Sequence, residues 1–79
     1  MFIYDSRRKF AVNLNTLTSL NVKSSGTHHA LEIHISGYRY VYGMPTVEDC
    51  VKLLWEIINA YEAGESKVIE IESVALGRE

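Results

Sequence analysis

The chain has 79 residues, a mass of 9.0 kDa, one cysteine and a net charge of −2. A fold of this size buries only about 60% of its unfolded surface, and one cysteine excludes an internal disulfide as its support. Hydrophobic residues at 47% and charged residues at 23% exclude disorder; no apolar run reaches the roughly 20 residues of a membrane span, and no leader is visible, so a single cytoplasmic domain is expected.

Phe2, Ile3 and Tyr4 form a short β-rich run, stopped by the polar segment Asp5-Ser6-Arg7-Arg8-Lys9. A second run, Phe10-Ala11-Val12-Asn13-Leu14, follows, and Asn13 and Asn15 favour turns or bulges around Asn-Leu-Asn. The chain resumes at Leu17 as a strand with Leu20 and Val22 on one side and Ser19 and Asn21 on the other. Ser24-Ser25-Gly26-Thr27 reads as a loop. From residue 30, Leu31, Ile33 and Ile35 alternate with Glu32, His34 and Ser36, the mark of a half-buried strand. A two-residue turn at Ser36-Gly37 sets Ile35 against Tyr38, Ile33 against Tyr40 and Leu31 against Tyr42, with His34 beside Arg39 on the other face. A slip of one residue would set the tyrosines against Glu32 and His34, so the apolar pattern selects this register.

Met44-Pro45 ends the strand, and Thr46 with Asp49 forms a variant capping box that opens a helix over residues 47–63, stopped by Gly64. A last strand, with Ile69 and Ile71 opposite Val68, Glu70 and Glu72, follows the helix. Residues 73–79 read as a flexible tail. The expected fold is α+β: a curved antiparallel sheet of four to five strands, one long helix on it, and a short strand after the helix.

On a helical wheel, Glu48, Lys52, Glu56, Asn59 and Glu62 fill one polar arc. The remaining apolar arc spans roughly 220°, about twice what a helix on one sheet buries. Trp55 stands at its edge, where a purely structural helix carries Lys or Glu. Apolar area left over in this way marks an interface. The expected contact is Trp55, Val51 and Ile58, with Glu56 and Glu62 as its polar rim, serving a homo-oligomer or a protein partner. The bland alternative is a curled sheet whose loops cover both flanks of the helix.

Catalytic and metal chemistry find no support. Cys50 falls in the middle of the apolar arc, the place of a small core residue rather than a reactive thiol. His28, His29 and His34 lack a second cysteine, and His29 and His34 point to opposite faces of a strand, so no metal or other cofactor is expected. No phosphate loop or nucleophile motif is present, and the reading is non-enzymatic.

Charge is unevenly spread. Residues 1–43 carry five basic residues against two acidic ones, net +3, and residues 44–79 carry three against eight, net −5. Two faces for different partners, a head-to-tail contact between copies, or a solvated acidic helix beside a mildly basic sheet all fit. Arg7, Arg8, Lys9, His34 and Arg39 form a possible basic surface, and nucleic-acid binding through it is the alternative function. Against this stand the net charge and the register, which turns Tyr38, Tyr40 and Tyr42 toward the helix as core tyrosines rather than a stacking platform.

The order strand, polar turn, Phe10-Ala11-Val12-Asn13-Leu14-Asn15-Thr16-Leu17-Thr18-Ser19-Leu20, hairpin, then Thr46-Val47-Glu48-Asp49 opening one helix, resembles a kind of short protein of bacteria and their phages with a reduced pleckstrin-homology-like fold. The likeness covers about residues 2–63, and its motif has low specificity; the strand at residues 67–72 departs from that pattern. The resemblance implies a bent sheet plugged by a C-terminal helix and a non-catalytic binding module, one form of which is a phage-borne inhibitor of a host protein. It transfers no catalytic or ligand residue.

Overall fold

A computed structural model of the chain describes residues 1–76. The elements run β1 (Phe2–Asp5), β2 (Phe10–Asn13), β3 (Leu17–Ser25), β4 (His28–Ile35), β5 (Tyr38–Met44), α1 (Val47–Glu62) and β6 (Val68–Ile71). The class is α+β, with the six strands of the described residues divided between two three-stranded sheets, ordered β2-β1-β6 and β3-β4-β5.

The division begins at Asn13-Leu14-Asn15. The Asn13 side chain accepts from the Asn15 amide at 2.9 Å, closing an Asx turn. The Leu14 amide donates to the Met1 carbonyl at 2.9 Å and its side chain is fully buried. Turning here, the chain leaves the first sheet and starts the second.

The second sheet is an antiparallel meander. Its β4–β5 register is the expected one, Leu31 with Tyr42, Ile33 with Tyr40, Ile35 with Tyr38 and His34 with Arg39. Ser36 and Gly37 both take positive φ, 45° and 85°, as a type I′ turn requires. The loop expected at residues 24–27 is shorter than read: β3 and β4 stay paired to Ser25 and His28, leaving Gly26 and Thr27 as the turn. Gly26, with φ of 59°, lets the ladder close that far despite two serines of weak β propensity.

β6 pairs with β1 in parallel, Phe2 with Val68 and Ile3 with Ile69, while β2 pairs with β1 antiparallel. A parallel neighbour needs a long crossover. Here the whole meander and the helix supply it. Both sheets contribute to one core: Ile3, Val12 and Ile69 from the first pack with Leu31, Ile33, Tyr42, Leu53 and Ile57. Complete burial of Ile3, Leu14, Leu31, Ile33 and Ile57 contributes on the order of 1.5–3 kcal/mol each.

Helix α1 starts where expected. The Thr46 hydroxyl accepts from the Asp49 amide at 3.1 Å and donates to the Asp49 carboxylate at 2.9 Å. The other end closes as a Schellman motif, with Gly64 at φ 69° donating to the Tyr61 carbonyl at 3.2 Å and Glu65 to the Ala60 carbonyl at 3.0 Å. Thr46→Ala leaves the Asp49 amide without its cap and is expected to cost about 1 kcal/mol in urea unfolding; an unchanged midpoint would refute the capping role.

Of the expected tail, residues 77–79 lie outside the described residues. Ser73 is buried, and the Val74 amide donates to the Gly43 carbonyl at 2.8 Å.

Candidate interaction surfaces

The inner side of α1 buries Cys50, Leu53, Ile57 and Ala60 against the meander. Burial pushes the Cys50 thiol up, and the neighbouring Asp49 carboxylate adds to the effect. The next side of the helix is apolar and only partly covered. Trp55 is 55% exposed, Val51 42% and Tyr61 46%, and Val47, Leu54 and Ile58 between them are half-buried. Glu48, Glu56 and Glu62 are exposed, and the last turn holds no basic residue. The helix period thus gathers Val51, Trp55 and Ile58 into one ridge, with Glu62 on it and Glu56 farther round.

The basic residues do not form one surface. Arg7, Arg8 and Lys9 occupy the loop between β1 and β2, and His34 and Arg39 lie on the outer face of the meander. Glu32 contacts both of the latter two, 3.4 Å from His34 Nε2 and 3.8 Å from Arg39 Nη1. Arg8 turns inward. Its guanidinium lies 5.0 Å from the Phe10 ring centre and 4.8 Å from that of Tyr42, and Nε donates to Asp5 at 2.7 Å.

Asp5, read in sequence as part of a polar turn, is fully buried because the alternation of β1 sends Ile3 and Asp5 to the same face. Its carboxylate accepts from Ser73 Oγ at 2.5 Å, Arg8 Nε at 2.7 Å, the Arg7 amide at 3.1 Å and the Ser73 amide at 3.2 Å. Burial alone would raise the pKa of Asp5, but these bonds outweigh it and hold the carboxyl at about 2. Above this network, burial pushes the Tyr42 hydroxyl up to about 12.

The tyrosine ladder is graded. Tyr42 is buried, Tyr40 half-buried and Tyr38 exposed, and the Phe10 ring lies 6.4 Å from both Tyr40 and Tyr42. Phe10 lies against Tyr40 and Tyr42 and Arg8 over Tyr42, whereas Tyr38, expected as a core tyrosine, is left exposed at the end of the hairpin.

A second apolar patch escaped the sequence reading. On the outer face of the first sheet, Phe2 (42% exposed) lies in register with Val68 (58% exposed), beside half-buried Tyr4. The only trace in sequence was Val68 among Glu70 and Glu72 on a polar face. Nothing local announces that residue 68 meets residue 2.

A shallow cleft of about 200 Å³, lined by Met1, Asn15, Tyr61, Gly64 and Glu65, is smaller than the roughly 300 Å³ of the smallest ordinary ligand pockets. Among the described residues, no three His, Cys, Asp or Glu side chains converge as metal ligands, and no helix is long and apolar enough to cross a membrane. No family model, curated protein or solved structure matches the chain.

Proposed function

We propose that the chain is a small non-enzymatic interaction module that docks onto protein through the outer ridge of α1 and assembles with itself. The observation that carries this is Trp55, more than half exposed on a well-capped helix, with Val51 and Ile58 beside it. A tryptophan in water on a rigid helix contributes little to the monomer, whereas in an interface it is a favoured anchor. The helix is already built, so docking orders few side chains and leaves most of the contact energy for binding. One buried, unpaired cysteine suits a cytoplasmic setting. The resemblance to phage proteins adds one class of further partner, a host protein whose surface the module occludes. Binding of nucleic acid by the basic half is the weaker reading, since Arg8 is engaged with Asp5 and Glu32 partners both His34 and Arg39.

Light scattering on the wild type and on Trp55→Glu tests the reading. The wild type is expected to give a mass above 9.0 kDa that falls to the monomer in the variant, with the urea midpoint of the monomer unchanged. Equal monomeric masses at all concentrations would overturn self-assembly.

A further inference from the structure

The outer ridge of α1 carries a charge pattern as well as an apolar one. Trp55 is at its centre, and Glu48 and Glu62 stand seven residues before and after it. Seven residues are about two helical turns, so both positions fall nearly in line with Trp55, each about 10 Å away along the axis. Glu56 flanks this line on the side away from Val51 and Ile58. All three glutamates are exposed, and none is in an ion pair with a described residue, whereas Asp5, Glu32 and Glu65 each have a cationic partner. Lys52 is the one basic residue of the helix, against Glu48, Asp49, Glu56 and Glu62. The last turn holds no basic residue, so the negative end of the helix dipole adds to the charge of Glu62.

This pattern discriminates between classes of occupant. Nucleic acid and an anionic lipid surface bring negative charge to unpaired carboxylates, and like charges there oppose association. A basic segment brings the opposite charge, and an exposed indole is the best aromatic partner for a lysine or arginine head group. The peptide groups of α1 are bonded within the helix and present no strand edge, so a partner must satisfy its own backbone, as a helix does.

Resting on the reading of the ridge as a protein-docking surface, we propose that its partner is a basic amphipathic helix. Its apolar side sits on Val51, Trp55 and Ile58, and lysine or arginine two turns to either side of that contact meets Glu48 and Glu62. Either helix direction satisfies the pattern, because the two acids are placed evenly about Trp55. The apolar centre supplies the affinity, and the acidic rim selects the partner and speeds encounter.

Trp55 is the chain's only tryptophan, so its emission reports the site without a label. Two synthetic amphipathic helices are titrated against the whole chain, one of leucine and lysine, the other with every lysine replaced by glutamate. The lysine peptide is expected to shift the emission to the blue with an affinity that falls as salt is raised, and the glutamate peptide to leave it unchanged. Glu62→Lys is expected to weaken the lysine peptide about fivefold. A lysine in the last turn suits the helix dipole, so this loss does not report unfolding. Glu70→Lys makes the same change of net charge on the exposed face of β6, away from the ridge, and is expected to leave binding unchanged. Equal binding of the two peptides, or equal weakening by the two substitutions, would overturn the inference and leave the ridge as an apolar docking surface. If neither peptide moves the emission while light scattering shows an oligomer that Trp55→Glu dissociates, the occupant is a second copy, and the inference falls but the ridge stands as an interface. With no peptide bound and monomers throughout, both the inference and the reading of the ridge are overturned.

Discussion

Asp5→Asn is expected to lower stability by about 3 kcal/mol at neutral pH, because it leaves the half-buried Arg8 guanidinium without its counter-charge. The variant keeps the shape of the side chain, so the loss reports charge rather than volume. The pH dependence gives a second reading. Folding depresses the Asp5 carboxyl from 3.8 to about 2, so its ionised form stabilises the native state fully above about pH 4. That contribution, about 2 kcal/mol by linkage, is lost as pH falls from 4 through 2. Urea unfolding between pH 2 and 7 should therefore show a slope in the wild type that is missing from Asp5→Asn. Parallel curves for the two proteins would mean that Asp5 does not titrate as its bonds require.

Gly43→Ala is expected to cost about 2–3 kcal/mol, although the change adds one methyl group. A Cβ at this position would overlap the Val74 carbonyl oxygen and come within 2.9 Å of the Leu76 side chain. The backbone of β5 is approached there by residues 74–76, and glycine is what permits the approach. The added methyl displaces a segment that also holds Ser73 on Asp5, by two hydrogen bonds. The two substitutions should consequently fail to add: the double variant loses less than the sum of the single ones, since both release Ser73. Chemical denaturation of the four proteins measures this directly, and simple additivity would separate the C-terminal segment from the Asp5 network.

Neither the Asp5 network nor the contacts at Gly43 include Val51, Trp55 or Ile58. The chain closes its core without Trp55 or Val51. Asp5, Arg8 and Ser73 tie β1, its loop and the C-terminal segment together, and Gly43 joins that segment to the meander.

Elements with a local period were legible in the sequence. Alternation of Leu31, Ile33 and Ile35 with polar residues set one face of β4, and the Ser36-Gly37 turn then admitted a single register for Tyr38, Tyr40 and Tyr42. Thr46, Asp49 and Gly64 marked the helix ends through bonds that span four or five residues at most. The helix period separated the ridge of Val51, Trp55 and Ile58 from its core face, because side-chain direction along a helix depends only on the residue count.

Contacts between residues distant in the chain were decided by the tertiary structure alone. A single sheet was expected, yet β6 returns to pair with β1 after the meander and helix have intervened, and this brings Val68 to Phe2. Arg8 reads as a surface charge until Phe10 and Tyr42 are seen on either side of it, and Asp5 reads as a turn residue until β1 is seen to face it inward. Sequence by itself determined the elements, the inward faces of β4 and α1 and the apolar ridge beside the latter, since each follows from periods and caps within a few residues. Which strand neighbours which, which charge is buried and what the last residues hold down depended on packing between segments up to 68 residues apart, and no local pattern encodes those distances.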